Sequence, residues 1–206
     1  MEILIADREA PSAAAVARTL EAHGHVIRGC RDVEESGAAP CAALRGAQCP
    51  LDTHPIDAVV KVGPRPTPDP RGDSHLGDGD LCAVRRLIPL VLLDRPDDTL
   101  APWAATTAAA SEAVEAVERV HEAILPLHTT RALVTARGEL RQRGLDDASV
   151  DVEVRRRAGG LTVDLFTDGR LGNSDAEGLA VHVVQSVRLF DPWAKSIDAS
   201  VHGVFD

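Results

Sequence analysis

A chain of 206 residues is long for one ordinary domain and sufficient for two, and 44% apolar with 26% charged residues is a globular composition with material for real cores. The net charge of −10 argues against a protein that works on nucleic acid or an anionic membrane as a whole. No apolar stretch approaches the roughly 18 residues that span a bilayer, and four cysteines are too few to staple a small secreted fold.

Met1 leads directly into a strand pattern rather than into a basic and then apolar signal. The expectation is a cytoplasmic protein with reduced thiols and no integral membrane segment. Its charge is unevenly divided: Met1 to Pro126 holds 12 basic and 20 acidic residues, net −8, whereas Leu127 to Asp206 holds 10 and 12, net −2. All three phenylalanines and Trp193 also fall in the second part. Two domains are therefore expected, residues 1–126 and 127–206.

The first seven residues are a short apolar run ending on Asp7, the pattern of a buried strand opening a βα unit. Ala13, Val16, Ala17 and Leu20 recur at helical spacing, with Pro11 near the start and Gly24 as the stop. His25 to Cys30 reads as a second strand. Arg31 to Pro55 is irregular, with a short helix possible over Cys41 to Ala47. Ile56 to Val62 is a third strand ended by Gly63-Pro64, and the proline-rich segment from Arg65 to Gly79 is a long loop. Leu81 to Leu87 gives one or two helical turns, Ile88 to Leu93 a fourth strand ending on Asp94, and Leu100 to Thr107 a weak fifth. Ser111 caps a helix whose apolar face uses Val114, Val117, Val120 and Ile124. Strands alternating with helices in this way predict a doubly wound, flavodoxin-like parallel sheet.

Pro126 starts the second domain. Ala132, Leu133, Ala136 and Leu140 mark a helix over Arg131 to Arg143, ended by Gly144. Val150, Val152 and Val154 alternate with charged residues, Ala158-Gly159-Gly160 turns the chain, and Leu161, Val163 and Leu165 alternate again, so a β-hairpin is expected. Ser174 and Glu177 form an S-x-x-E capping box before a helix carrying Leu179, Val183 and Val187. A last strand alternates from Ile197 to Phe205. The order αββαβ predicts a small α+β domain with helices on one face of an antiparallel sheet.

The opening Ile3-Leu4-Ile5-Ala6-Asp7-Arg8-Glu9, with Ile56-Asp57-Ala58-Val59-Val60 and Ile88-Pro89-Leu90-Val91-Leu92-Leu93, resembles response-regulator receiver domains. Receivers gather first-strand acids around magnesium beside an aspartate that takes up phosphate, with a hydroxyl residue ending the fourth strand and a lysine the fifth. The resemblance implies that pocket at Asp7, Arg8, Glu9, Val62 and Asp94, in degenerate form. Arg8 replaces the second acid, leaving Glu9 as the near substitute. Val62 stands where the acceptor aspartate should be, Asp94 where a serine or threonine is expected, and no Lys-Pro pair follows Trp103. Metal and lysine together neutralise the transferring phosphoryl group. The expectation is a pseudo-receiver without phosphotransfer.

Asp7 and Asp94 are expected at the carboxyl edge of adjacent strands, where such folds bind ligands, and two carboxylates there could hold a cation. Pairing with Arg8 or Arg95 is the plainer reading. The cysteines at 30, 41, 49 and 82 contain no C-x-x-C pair and read as small buried residues, so no metal site is expected. Arg155, Arg156 and Arg157 form the one basic run, a possible anion contact or a charged hairpin edge that discourages stray pairing.

In the second domain, Val152-Glu153-Val154, Gly160 to Leu165, Val184-Gln185-Ser186-Val187 and Ile197 to Val204 resemble the alkaline shock protein family, with Asp191-Pro192-Trp193 where that family has a Gly-Leu turn. BON domains have a similar element order. Both resemblances imply docking or self-association rather than catalysis. The reading is a non-enzymatic regulatory or interaction protein that uses protein partners, forms a homodimer and needs no cofactor. The competing readings are a small-ligand or cation binder or enzyme working through Asp7 and Asp94, and an RNA-binding module using Arg155 to Arg157.

Overall fold

The computed structural model describes residues 1–5, 11–30, 48–63, 78–95, 100–145, 149–168 and 171–203. The chain divides into two compact units, Met1–His121 and Glu122–Asp206. Among the described residues no helix is long and apolar enough to cross a membrane.

In the first unit, β1 (Glu2–Ile5), β2 (Val26–Gly29), β3 (Ala58–Val62), β4 (Leu90–Leu93) and β5 (Thr106–Ala108) form an all-parallel sheet in the order β2-β1-β3-β4-β5. β3 and β4 are buried along their whole length. Strands covered on both faces have no wet side, which is why they read as apolar runs rather than alternations. Ile3, Ile5, Val60, Val62, Val91 and Leu93 pack on one face with residues of α1 (Pro11–Ala22) and α4 (Ala113–Glu122). Leu4, Val59, Leu90 and Leu92 pack on the other with Leu51 of α2 (Pro50–Thr53) and Ala83 of α3 (Asp78–Arg85). Cutting any of these leucines to alanine would cost about 2–5 kcal/mol. The chain leaves β1 toward β2 on one side and returns to β3 on the other, so the strand order reverses between β1 and β3. In open parallel sheets the crevice at such a reversal is the usual place for a ligand.

Two local expectations are corrected here. Leu100 to Thr107 is not one strand, because Ala101–Trp103 is a 3-10 turn and only Thr106–Ala108 pairs with β4. Pro102 has no N–H to give to a ladder. Ser111 caps nothing: it lies inside a 3-10 turn, Ala110–Glu112, whose leading N–H groups are met by carboxylates instead. α4 then ends at Glu122, before Ile124, which is 42% exposed. Cys41 to Ala47 and most of the loop expected over Arg65 to Gly79 lie outside the described residues.

The second unit begins its first helix, α5 (Pro126–Gln142), five residues earlier than its apolar pattern, with Pro126 in the first turn, where its missing N–H costs nothing. β6 (Asp151–Arg157) and β7 (Gly160–Phe166) form an antiparallel hairpin. Its turn is Ala158-Gly159, with φ of +49° and +71°, the left-handed pair that two-residue hairpin turns require. Gly160 already belongs to β7, and a Cβ there would sit 2.3 Å from the Ser196 hydroxyl oxygen.

α6 (Asn173–Phe190) returns the chain to the end of the sheet at which β7 began, so β8 (Ile197–His202) pairs with β7 in parallel. The sheet, ordered β6-β7-β8, is therefore mixed and not antiparallel as expected. A single long helix between two neighbouring strands enforces the parallel sense. The expected capping box is also absent. Gly172 is the N-cap of α6, so Ser174 lies within the first turn, and the nearby carboxylate of Asp175 bonds Arg143 at 2.8 Å.

Candidate functional site

At the carboxyl edge of the parallel sheet, β3 ends on Val62, buried and turned toward the α1 and α4 face. Gly63 follows with φ +86°, its N–H donating to Leu93 O at 3.0 Å. A Cβ on Gly63 would come within 3.1 Å of the Ser12 hydroxyl oxygen, so the chain passes close to the start of α1 here. β4 ends on Leu93 and is followed by Asp94, which is exposed and has φ +55°. Its main-chain N–H donates to Ala108 O at 2.9 Å, and its Oδ1 accepts the Ala110 N–H at 3.0 Å. Asp94 thus meets an orphan donor at the approach to α4, the role expected of Ser111.

Asp7, Arg8 and Glu9 lie outside the described residues. The premise that Asp7 and Asp94 end adjacent strands is overturned, because β3 lies between β1 and β4. Sequence reasoning missed two residues at this edge. Lys61 is 3% exposed and Arg95 is 6% exposed, so two buried basic side chains lie at the end of β3 and just beyond β4. Lys61 stands inside the apolar run of a strand covered on both faces, which was the available signal that it is buried. Among the described residues no group of three His, Cys, Asp or Glu side chains could hold a metal ion. Cys30 and Cys49 are buried in the apolar cluster beneath this sheet, and Cys41 lies outside the described residues.

In the second unit the arginine run divides. Arg155 pairs with Glu153 and lies 3.7 Å from Asp164 on the open face of the sheet. Arg157 is exposed at the end of β6. Arg156 has the opposite parity, shared with Val152 and Val154, and points into the core with 4% exposure. This corrects the expected three-residue anion contact. The Nη2 of Arg156 donates to Asp191 Oδ2 at 2.9 Å, and the same oxygen accepts from His128 Nε2 at 3.0 Å. Asp191 Oδ1 accepts the main-chain N–H groups of Trp193 at 3.1 Å and Ala194 at 3.2 Å. Asp191 is fully buried and His128 is 3% exposed. The ring of Phe190 closes the His128 side, edge-on at 5.2 Å.

Burial works to raise the Asp191 pKa, but the His128 hydrogen bond and the charge of Arg156 outweigh it and hold the carboxyl below its usual range. An ionised carboxylate only accepts, so His128 Nε2 carries the proton of that bond. A carboxylate, an imidazole and a guanidinium in contact invite comparison with a nucleophilic triad. Among the described residues, however, His128 bonds no hydroxyl or thiol side chain, and the cluster has no exposed member. It is a structural network that joins α5, β6 and the end of α6. A cleft of about 180 Å³ lined by Leu140, Leu145, Thr167 and Leu171 lies elsewhere in this unit, smaller than the roughly 300–1,000 Å³ of small-molecule sites.

No family model, no curated protein and no solved structure matches the chain.

Proposed function

We propose that the chain is a non-enzymatic regulatory or interaction protein, with a receiver-like first unit that lacks phosphotransfer chemistry and a second unit, similar to alkaline shock proteins, that serves docking or self-association. The observation that carries this reading is the end of β3. Val62 is buried there, with no oxygen to attack phosphorus, and a left-handed glycine follows directly. The flavodoxin-like strand order supports it. So does the engagement of Asp94 as a cap at the approach to α4.

The test is incubation with Mg²⁺ and either acetyl phosphate or beryllofluoride, read by intact mass and thermal shift beside Asp7→Ala and Asp94→Asn. The expected result is no added mass and no change in Tm. A covalent adduct, or a rise in Tm lost in Asp7→Ala, overturns the reading. A second reading puts a small ligand or cation at the same edge through Asp7 and Asp94. Besides the exposed Asp94, this edge carries the basic side chains Lys61 and Arg95, a mixture that a phosphate-like ligand would meet there. A phosphate-dependent shift in Tm without added mass decides for it.

A further inference from the structure

The two edges of the small sheet are treated differently by the chain. Along β6, the outer main chain is occupied: Leu125 N–H donates to Val154 O at 2.7 Å, Thr129 Oγ1 accepts Val154 N–H at 3.1 Å, and Ile124 forms a bridge with Arg155. Along β8, Ser196 O and His202 O accept from Leu161 N–H and Thr167 N–H of the β7 side, both at 2.9 Å. Even-numbered residues of β8 therefore face β7, and the N–H and C=O groups of Ile197, Ala199 and Val201 face outward. Among the described residues nothing covers them. An uncovered edge is a template for a further strand, and proteins usually blunt it with lysine, proline or a bulge. β8 reads Ile-Asp-Ala-Ser-Val-His, with no lysine, proline or bulge and a single carboxylate, Asp198.

The helix above repeats the asymmetry. On its α5 side α6 is sealed by polar pairs, Asp175 with Arg143 at 2.8 Å, His182 with Glu139 at 2.6 Å and Ser186 with Thr135 at 2.8 Å. On its β8 side lies an open groove of about 310 Å³ lined by Ala176, Glu177, Ala180, Ala199 and Val201. Val181, beside Ala180, is 52% exposed.

From these observations we propose that β8 is the dimerisation edge, pairing antiparallel with β8 of a second copy of this chain about a two-fold axis at Ala199. The occupant is argued from self-complementarity. Centring the axis on Ala199 makes all three outward residues hydrogen-bonded pairs, with Ile197 facing Val201 of the second copy and Ala199 facing its own equivalent. On the open face the same register sets Asp198 against Ser200 and His202 against Ser196, so no like charges stand directly opposite one another. On the helix face the small side chains of Ala176, Ala180 and Ala199 leave room for the two α6 helices to approach. The two small sheets become one continuous sheet, an isologous contact. This deepens the reading of the second unit as a self-association module and rests on it.

The test uses the full chain in analytical ultracentrifugation at about 100 µM, where a micromolar dimer is almost fully formed. Wild type is expected at twice 21.8 kDa. Ala199→Pro removes only an outward-facing N–H, a position at which an edge strand accepts proline. It is expected to sediment as monomer, or with affinity weakened at least about tenfold, while far-UV circular dichroism stays unchanged. Ala199→Cys is expected to cross-link to itself on mild oxidation beyond the wild-type background, since facing residues about 5.5 Å apart at Cα suit a disulfide. A dimer that survives Ala199→Pro, with no added cross-linking in Ala199→Cys, overturns this edge and leaves the self-association reading standing. A wild-type monomer overturns both.

Discussion

At 0% exposure, Asp191 stays ionised because His128, Arg156 and the N–H groups of Trp193 and Ala194 all donate to its carboxylate. Asp191→Asn leaves Arg156 in the core without its counter-charge and is expected to cost about 3–5 kcal/mol, measured by urea unfolding. Because the folded pKa lies below the unfolded one, the contribution is complete above the ordinary value of 3.8 and is lost as pH falls through the folded pKa. Wild type should therefore lose stability below that value more steeply than Asp191→Asn. His25 behaves similarly in the first unit. Burial, and then the N-terminal ammonium, lower its pKa from 6.5 against the opposing pull of Glu118, with His23 and His121 adding to the lowering. Both ring nitrogens are buried without a hydrogen-bond partner among the described residues. The unfolded chain takes up the proton more readily, so stability is full above pH 6.5 and declines below it. Urea midpoints measured between about pH 7.5 and 5.5 should fall in wild type and flatten in His25→Phe.

Elements defined by apolar periodicity were legible in the sequence, and those defined by long-range partners were not. Ile56 to Val62 and Ile88 to Leu93 contain β3 and β4 because a strand covered on both faces has to be an apolar run. The alternation from Val150 to Leu165 contains the β6–β7 hairpin for the opposite reason, one wet face. Ser111 and Ser174 failed as caps because local spacing cannot show that Asp94 reaches Ala110 or that α6 starts at Asn173. Arg156 was misread although its parity with Val152 and Val154 was in view, since an arginine is not expected on an inner face until its partner is known. Asp191, the partner, follows 35 residues later. The Ala158-Gly159 turn carries one strained residue, Ala158 at φ +49°. Ala158→Asn or Ala158→Gly should relieve it and raise the stability read by urea unfolding by about 0.5–1 kcal/mol.

Each unit of the molecule has its own apolar core. Ile3, Leu4, Val60 and Leu92 belong to clusters formed only by the first unit, and Leu140, Val154, Leu165 and Leu179 to a cluster formed only by the second. Residues 1–121 and 122–206 should accordingly each fold when expressed apart, checked by dispersed amide spectra. Leu92→Ala should lower the stability of the first fragment by about 2–5 kcal/mol, and Leu165→Ala that of the second.

The buried ion network of the second unit also guards against one misfolded form that hydrophobicity would allow. If β6 slipped by two residues along β7, Val150, Val152 and Val154 would take the inner positions now held by Val152, Val154 and Arg156. Such a decoy keeps every side chain on its own face and still fills three inner positions with valines, all three already buried in the native pairing, so apolar patterning alone does not exclude it. It would also strand Asp191 and His128 without the guanidinium, a loss of about 3–5 kcal/mol. Asp191 thereby acts as an error check on the hairpin, rejecting a misalignment that the valine pattern alone would admit.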